Sequence, residues 1–123
     1  VGLFVDDMVK CKVLIVDDSK EDLAAMKVIL EKQGCEVVAA SNGAEALEQL
    51  QSDGFKVALI DIKMPTLSGY DLMRLLKERI THKVRIIYVS IVPAQEVDME
   101  GIDGFVQKPF SPESLMAEVN KVL

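Results

Sequence analysis

The 123-residue sequence contains no tryptophan, one histidine, two cysteines and only 5% aromatic residues. No indole is available to stack on a flat cofactor ring, which disfavours a flavin binder. Basic residues are also in the minority, 14 Lys and Arg against 20 Asp and Glu, for a formal net charge of −6. That balance argues against a surface that tracks nucleic-acid phosphates and against a basic membrane patch. No apolar run approaches the roughly 18 residues of a membrane span. The opening VGLFVDDMVK lacks the basic-then-apolar order of a signal peptide. Cys11 and Cys35 are too few for a disulfide scaffold and too far apart for a CxxC metal or redox motif. Buried free thiols at strand starts are the expectation. The alternative is that they become neighbours across a parallel strand pair and crosslink under oxidation.

What is present points to one folded domain. Half of the residues are apolar and 28% are charged, which is too apolar for disorder. A chain of this length buries roughly two thirds of its unfolded surface, enough for a core without a disulfide or structural metal. A soluble, cytoplasmic domain is expected.

Short β-branched runs alternate with amphipathic stretches five times. VLIV at 13–16 predicts a strand, and Ser19-x-x-Asp22 then opens a helix with Leu23, Met26, Ile29 and Leu30 on one face. Gly34 stops it. A weaker strand over 36–40 precedes Asn42-x-x-Glu45 and a helix burying Leu47 and Leu50. VALI at 57–60 is a continuous apolar strand, as expected when both faces of a parallel sheet are covered, and it ends on Asp61. Ser68-x-x-Asp71 caps a third helix with Leu72, Leu75 and Leu76 inward. A fourth strand runs over 84–89 to Ser90. The stretch from Pro93 to Ile102, with Gly101 near its end, leaves room for a short or irregular fourth helix. GFVQ at 104–107 is the fifth strand, and Ser111 with Pro112 opens a last helix predicted to bury Leu115, Val119 and Leu123.

This order predicts an α/β fold, a (βα)5 doubly wound five-stranded parallel sheet with right-handed crossovers. Ligands in such sheets sit beyond the carboxyl ends of the strands. The residues there are Asp17, Asp18, Asp61, Ser90 and Lys108. Two like charges about 4 Å apart repel by roughly 4 kcal/mol at an effective dielectric of about 20, and three are gathered here. Lys108 offsets one. A hard divalent ion, Mg²⁺ above all, is the usual partner of carboxylates plus phosphate oxygens. Asp61 could then act as nucleophile toward a phosphoryl group, with Lys108 and Ser90 stabilising its oxygens, to give an aspartyl phosphate.

At these residues the sequence resembles the receiver domain of two-component response regulators, with its flavodoxin-like or CheY-like fold. The resemblance is carried by VLIVDDS at 13–19, ALIDIKMPTLSGYDL at 58–72, IIYVS at 86–90 and GFVQKPF at 104–110. It implies Asp61 as phosphoacceptor, Asp17 and Asp18 as the metal-binding acids, and Lys63 as a metal ligand through its backbone carbonyl. It also implies Ser90 as the switch hydroxyl, Phe105 as the aromatic that changes rotamer with it, and Lys108 as a phosphate contact before a cis proline. The implied cofactor is Mg²⁺, and the implied donor is a phosphohistidine on a sensor histidine kinase or histidine phosphotransfer protein. Such a domain is no general enzyme; it catalyses only its own phosphorylation and dephosphorylation.

Departures from the family pattern keep an alternative open. Ile91 replaces the small residue usual after the switch hydroxyl, and the connection from Ser90 to Lys108 is about one helical turn short. A pseudo-receiver acting as a phosphorylation-independent interaction module is therefore the second reading. A phosphohydrolase of the haloacid dehalogenase type would want an acid where Lys63 stands. The face around the fourth connection, the fifth strand and the last helix is the expected output surface, and a candidate for pairing two copies. Neither nucleic acid nor membrane is an expected partner. His82, in a polar loop, is expected in solvent and is not the phosphodonor. Residues 1–7, with the decoy Asp6-Asp7, are expected to be an extension or cloning remnant before a domain over 8–123.

Overall fold

The computed structural model describes residues 11–52, 54–80 and 82–123. The extension expected over residues 1–7 lies outside the described residues. Five strands, β1 (Lys12–Val16), β2 (Glu36–Ala40), β3 (Phe55–Ile60), β4 (Arg85–Ser90) and β5 (Gly104–Gln107), alternate with helices. Among the described residues these are α1 (Lys20–Lys32), α2 (Gly43–Gln49), α3 (Gly69–Arg79) and α4 (Pro112–Val122), with a 3₁₀ turn, Ala94–Glu96, between β4 and β5. The strands form one parallel sheet in the order β2-β1-β3-β4-β5. This is the predicted doubly wound arrangement, and its order reverses between β1 and β3, where such folds bind ligands.

Each α-helix starts where a side chain can satisfy its free N–H groups. Ser19 accepts from the Asp22 N–H at 3.2 Å, Asn42 from Glu45 at 2.9 Å, Ser68 from Asp71 at 3.2 Å and Ser111 from Ser114 at 3.0 Å. Such a cap is typically worth about 1 kcal/mol. The two faces of the sheet each carry a core. Leu14, Val16, Ala58, Ile60 and Tyr88 pack against α2 and α3, while Val13, Ile15, Leu59, Ile87 and Val89 pack against α1 and α4. Consecutive strand residues therefore feed opposite cores, which explains the unbroken apolar runs. Among the described residues, no helix is long and apolar enough to cross a membrane.

Three expectations are corrected. Cys11 and Cys35 are not the free thiols expected but a disulfide across the β1–β2 pair, the alternative the sequence left open, with Cα atoms 4.9 Å apart. They stand one residue before the Lys12–Glu36 pair of β1 and β2, and the Glu36 N–H donates to the Cys11 carbonyl at 2.9 Å. The parallel register thus places the two sulfurs side by side, within the usual disulfide span. Leu123 is 50% exposed; α4 instead buries Leu115, Met116 and Val119, because the chain leaves the helix at the C-cap position. His82 is half-buried rather than solvent-exposed, lining a cleft of about 310 Å³ with Leu76 and Ile80.

Candidate functional site

The carboxyl ends of β1, β3, β4 and β5 converge on one rim. The chain leaves β1 with Asp17 and Asp18, and the Asp17 N–H is held by the Ala40 carbonyl of β2 at 3.2 Å. Asp61 follows β3, its N–H donating to the Val16 carbonyl at 2.9 Å. The sheet ladder itself therefore sets the spacing of the acids. Gly69 is what lets α3 approach this corner, since a Cβ there would lie 2.4 Å from the Asp61 carbonyl oxygen and 2.8 Å from the Ile62 Cα. Backbone atoms cannot yield to such a contact, so only glycine fits.

Oxygens of Asp17, Asp18 and Asp61 all lie within 4.8 Å of one another. Asp17 is fully buried, Asp61 is 6% exposed and Asp18 faces solvent. Asp17 accepts from the Ser19 N–H at 2.9 Å through one oxygen and from Lys108 Nζ at 2.7 Å through the other. Burial, and next the Asp17 charge, push the Asp61 carboxyl up to about 6, against the opposing pull of Lys108. For Lys108, burial works against the ammonium, but hydrogen bonds to Asp17 and Asp22 outweigh it and hold its pKa above the ordinary value.

This donor set fits a hard divalent cation. It offers oxygen ligands only, with one acid open to solvent and two desolvated negative groups whose repulsion a dication would relieve. Lys63, two residues after Asp61, is exposed beside the rim and lines a cleft of about 620 Å³ with Ile62, Tyr70 and Val92.

The remaining expected residues are brought to the same end of the sheet. Ser90 is fully buried, its hydroxyl accepting the Val92 N–H at 3.2 Å, and its carbonyl accepts the Lys108 N–H at 2.9 Å. Lys108 is followed by a cis peptide bond to Pro109. Phe105 is half-buried opposite Tyr88 in the β4–β5 register and packs on the α2–α3 side of the sheet. Ile91 is 64% exposed, so its bulk is not absorbed by the core.

Two features escape a reading by sequence. Lys108 Nζ lies 2.7 Å from Asp22 as well as from Asp17, and only 3.8 Å from Asp61. Asp22 is legible in sequence as a helix-start acid; its carboxylate reaching a lysine 86 positions later is not. Tyr88 is fully buried in β4 and meets Tyr70 of α3 edge-on, with ring centroids 5.5 Å apart. Its phenol is pushed up to about 12, chiefly by burial.

Known proteins share this arrangement. The sequence pattern of the response regulator receiver domain matches residues 13–120. Response regulator SaeR of Staphylococcus epidermidis is 35% identical over 115 residues, spanning 89% of this chain and 49% of that protein. Transcriptional regulatory protein CpxR of Escherichia coli is 32% identical over 117 residues, 91% of this chain and 49% of its own length. The chain thus spans about half the length of these curated relatives. Among solved structures, chemotaxis response regulator CheY4 of Vibrio cholerae superposes with a TM-score of 0.85 at 31% identity, covering 92% of this chain and 98% of that one. Response regulator TrrA of Thermotoga maritima, solved in complex with Mg²⁺ and BeF, gives 0.83 at 27% identity over 92% and 99% of the two chains. With four strand ends delivering an acid pair, a third acid, a buried serine and a lysine to one rim, and with the match running through nearly all of β1 to α4, this chain belongs to the response regulator receiver domain family.

Proposed function

We propose that the domain accepts a phosphoryl group on Asp61 in a Mg²⁺-dependent reaction and changes conformation to control an output partner. The observation that carries this is the meeting of Asp17, Asp18 and Asp61 oxygens within 4.8 Å, beside a lysine that contacts two of the three. A carboxyl pushed up to about 6 is still mostly ionised at neutral pH, and its raised basicity favours attack on phosphorus. An Asp61 oxygen forms the new O–P bond as the N–P bond of a donor phosphohistidine breaks, and the imidazole leaves with the bonding pair. Asp17, Asp18 and Asp61 would hold the divalent cation, with Lys63 offering its backbone carbonyl; when bound, the cation supplies positive charge against the phosphoryl oxygens. Lys108 provides a second cation from the end of β5. The Ser90 hydroxyl, which accepts from Val92, keeps its own proton to donate to a phosphoryl oxygen.

Withdrawal of that hydroxyl toward a phosphoryl group would release the Val92 N–H and loosen the turn that leads into the 3₁₀ segment. Phe105, half-buried two strands from Asp61, would change rotamer with it. The event is a population shift between two packings, biased by one covalent charge. The donor is a histidine kinase or a histidine phosphotransfer protein, the reaction is confined to the domain's own aspartate, and the setting is cytoplasmic. Incubation with acetyl phosphate and Mg²⁺, followed by intact mass, tests the proposal. Wild type should gain one phosphoryl group and Asp61→Asn none. A wild type that gains no mass would hand the function to a phosphorylation-independent interaction module; labelling of Asp61→Asn as well as wild type would move the site.

A further inference from the structure

We infer that Asp22 is a positioning residue for phosphoryl transfer: it holds the Lys108 ammonium away from Asp61 in the resting protein and so governs how readily Lys108 reaches the phosphoryl group. This rests on Asp61 being the phosphoacceptor. An ammonium has three protons to donate, and Lys108 spends two of them at 2.7 Å, one on Asp17 and one on Asp22, leaving Asp61 at 3.8 Å. The two bonds are not equivalent. Asp17 is fully buried and fixed through its other oxygen by the Ser19 N–H, so breaking its bond to Lys108 would strand a charge in the interior. Asp22 stands on the first turn of α1 with a side chain that is 35% exposed, and water can replace Lys108 there. Asp17 is the anchor and Asp22 the latch.

A phosphoryl group on Asp61 adds negative charge beside Nζ and draws the ammonium from the latch, while the Asp17 bond persists. Removing the latch leaves Lys108 already turned to Asp61. Asp22 is 35% exposed, and solvent screening on that side holds the pair to about 1 kcal/mol, so the rate should change by about two- to fivefold.

The full chain is phosphorylated with acetyl phosphate and Mg²⁺, and initial rates are read by intact mass. Asp22→Asn should be labelled about two to five times faster than wild type, and Asp22→Glu should return to the wild-type rate. Glu21→Gln, which removes the same charge from the exposed neighbouring position, should leave the rate unchanged, separating Lys108 release from mere repulsion of the anionic donor. A thermal melt accompanies each variant, because losing an acid from a helix start lowers stability without touching Lys108. Direct evidence comes from NMR of the Lys108 Nζ, with coupling to both the Asp17 and Asp22 carboxylates in wild type and to Asp17 but not residue 22 in Asp22→Asn. A labelled wild type with Asp22→Asn at the same rate, or Nζ coupled to Asp61 instead of Asp22 at rest, overturns the inference and leaves the phosphoacceptor intact. A wild type that is not labelled at all overturns both.

Discussion

Replacing Asp61 by Asn removes a carboxylate that the fold carries at a cost, and the size of that cost follows from its surroundings. Burial and the Asp17 charge raise its pKa from 3.8 to about 6. An acid with a raised folded pKa binds its proton more tightly in the native state, so its contribution to stability falls as pH rises from about 4 to about 6 and stays low above that. At about 1.4 kcal/mol per unit, the penalty is about 3 kcal/mol near pH 7.5 and about 1 kcal/mol near pH 4.5. Asparagine keeps the shape of the side chain without the charge, and Lys108 retains both of its closer partners. In denaturant melts with a chelator present, Asp61→Asn should therefore be more stable than wild type by about 2–3 kcal/mol near pH 7.5, with the gap narrowing by more than half near pH 4.5. An Asp61→Asn protein no more stable than wild type near neutrality, or equally stabilised at both pH values, would refute the claim that crowded negative charge burdens this rim.

Two further perturbations probe how the scaffold holds the site. Reducing the Cys11–Cys35 disulfide, which closes a loop over a sequence separation of 24, should cost about 3 kcal/mol by the loop-closure estimate, read as a drop of roughly 10–20 °C in Tm between oxidised and reduced protein. Gly69→Ala should destabilise by about 1–3 kcal/mol in the same denaturant melts, because its Cβ would meet the Asp61 carbonyl at 2.4 Å and force α3 from the strand end; unchanged stability would mean that the corner is not close-packed.

Much of the architecture is written locally. Four helix starts were legible because Ser19, Asn42, Ser68 and Ser111 each precede their partner N–H by three residues, a relation that needs no tertiary information. The strands were legible because residues feeding two cores must be apolar without alternation, and Asp17, Asp61, Ser90 and Lys108 were legible as polar ends to such runs. What depends on register or on long-range reach was not. The disulfide required knowing that β1 and β2 align Lys12 with Glu36, and so Cys11 with Cys35. The share of Lys108 taken by Asp22 required knowing how far α1 turns over the rim. The close approach at Gly69 lies in the packing of α3 against β3 rather than in any motif spacing.

On the proposed function, Asp17, Asp18 and Asp61 crowd one rim because a divalent cation shares it. An amide NMR titration of the metal-free chain with Mg²⁺ tests this most directly. Saturable shifts centred on residues 17, 18 and 61, reversed by excess EDTA and weakened in Asp17→Asn, are predicted. Spectra that stay unchanged as Mg²⁺ is raised well beyond cellular levels would leave the three acids without the cation proposed for them.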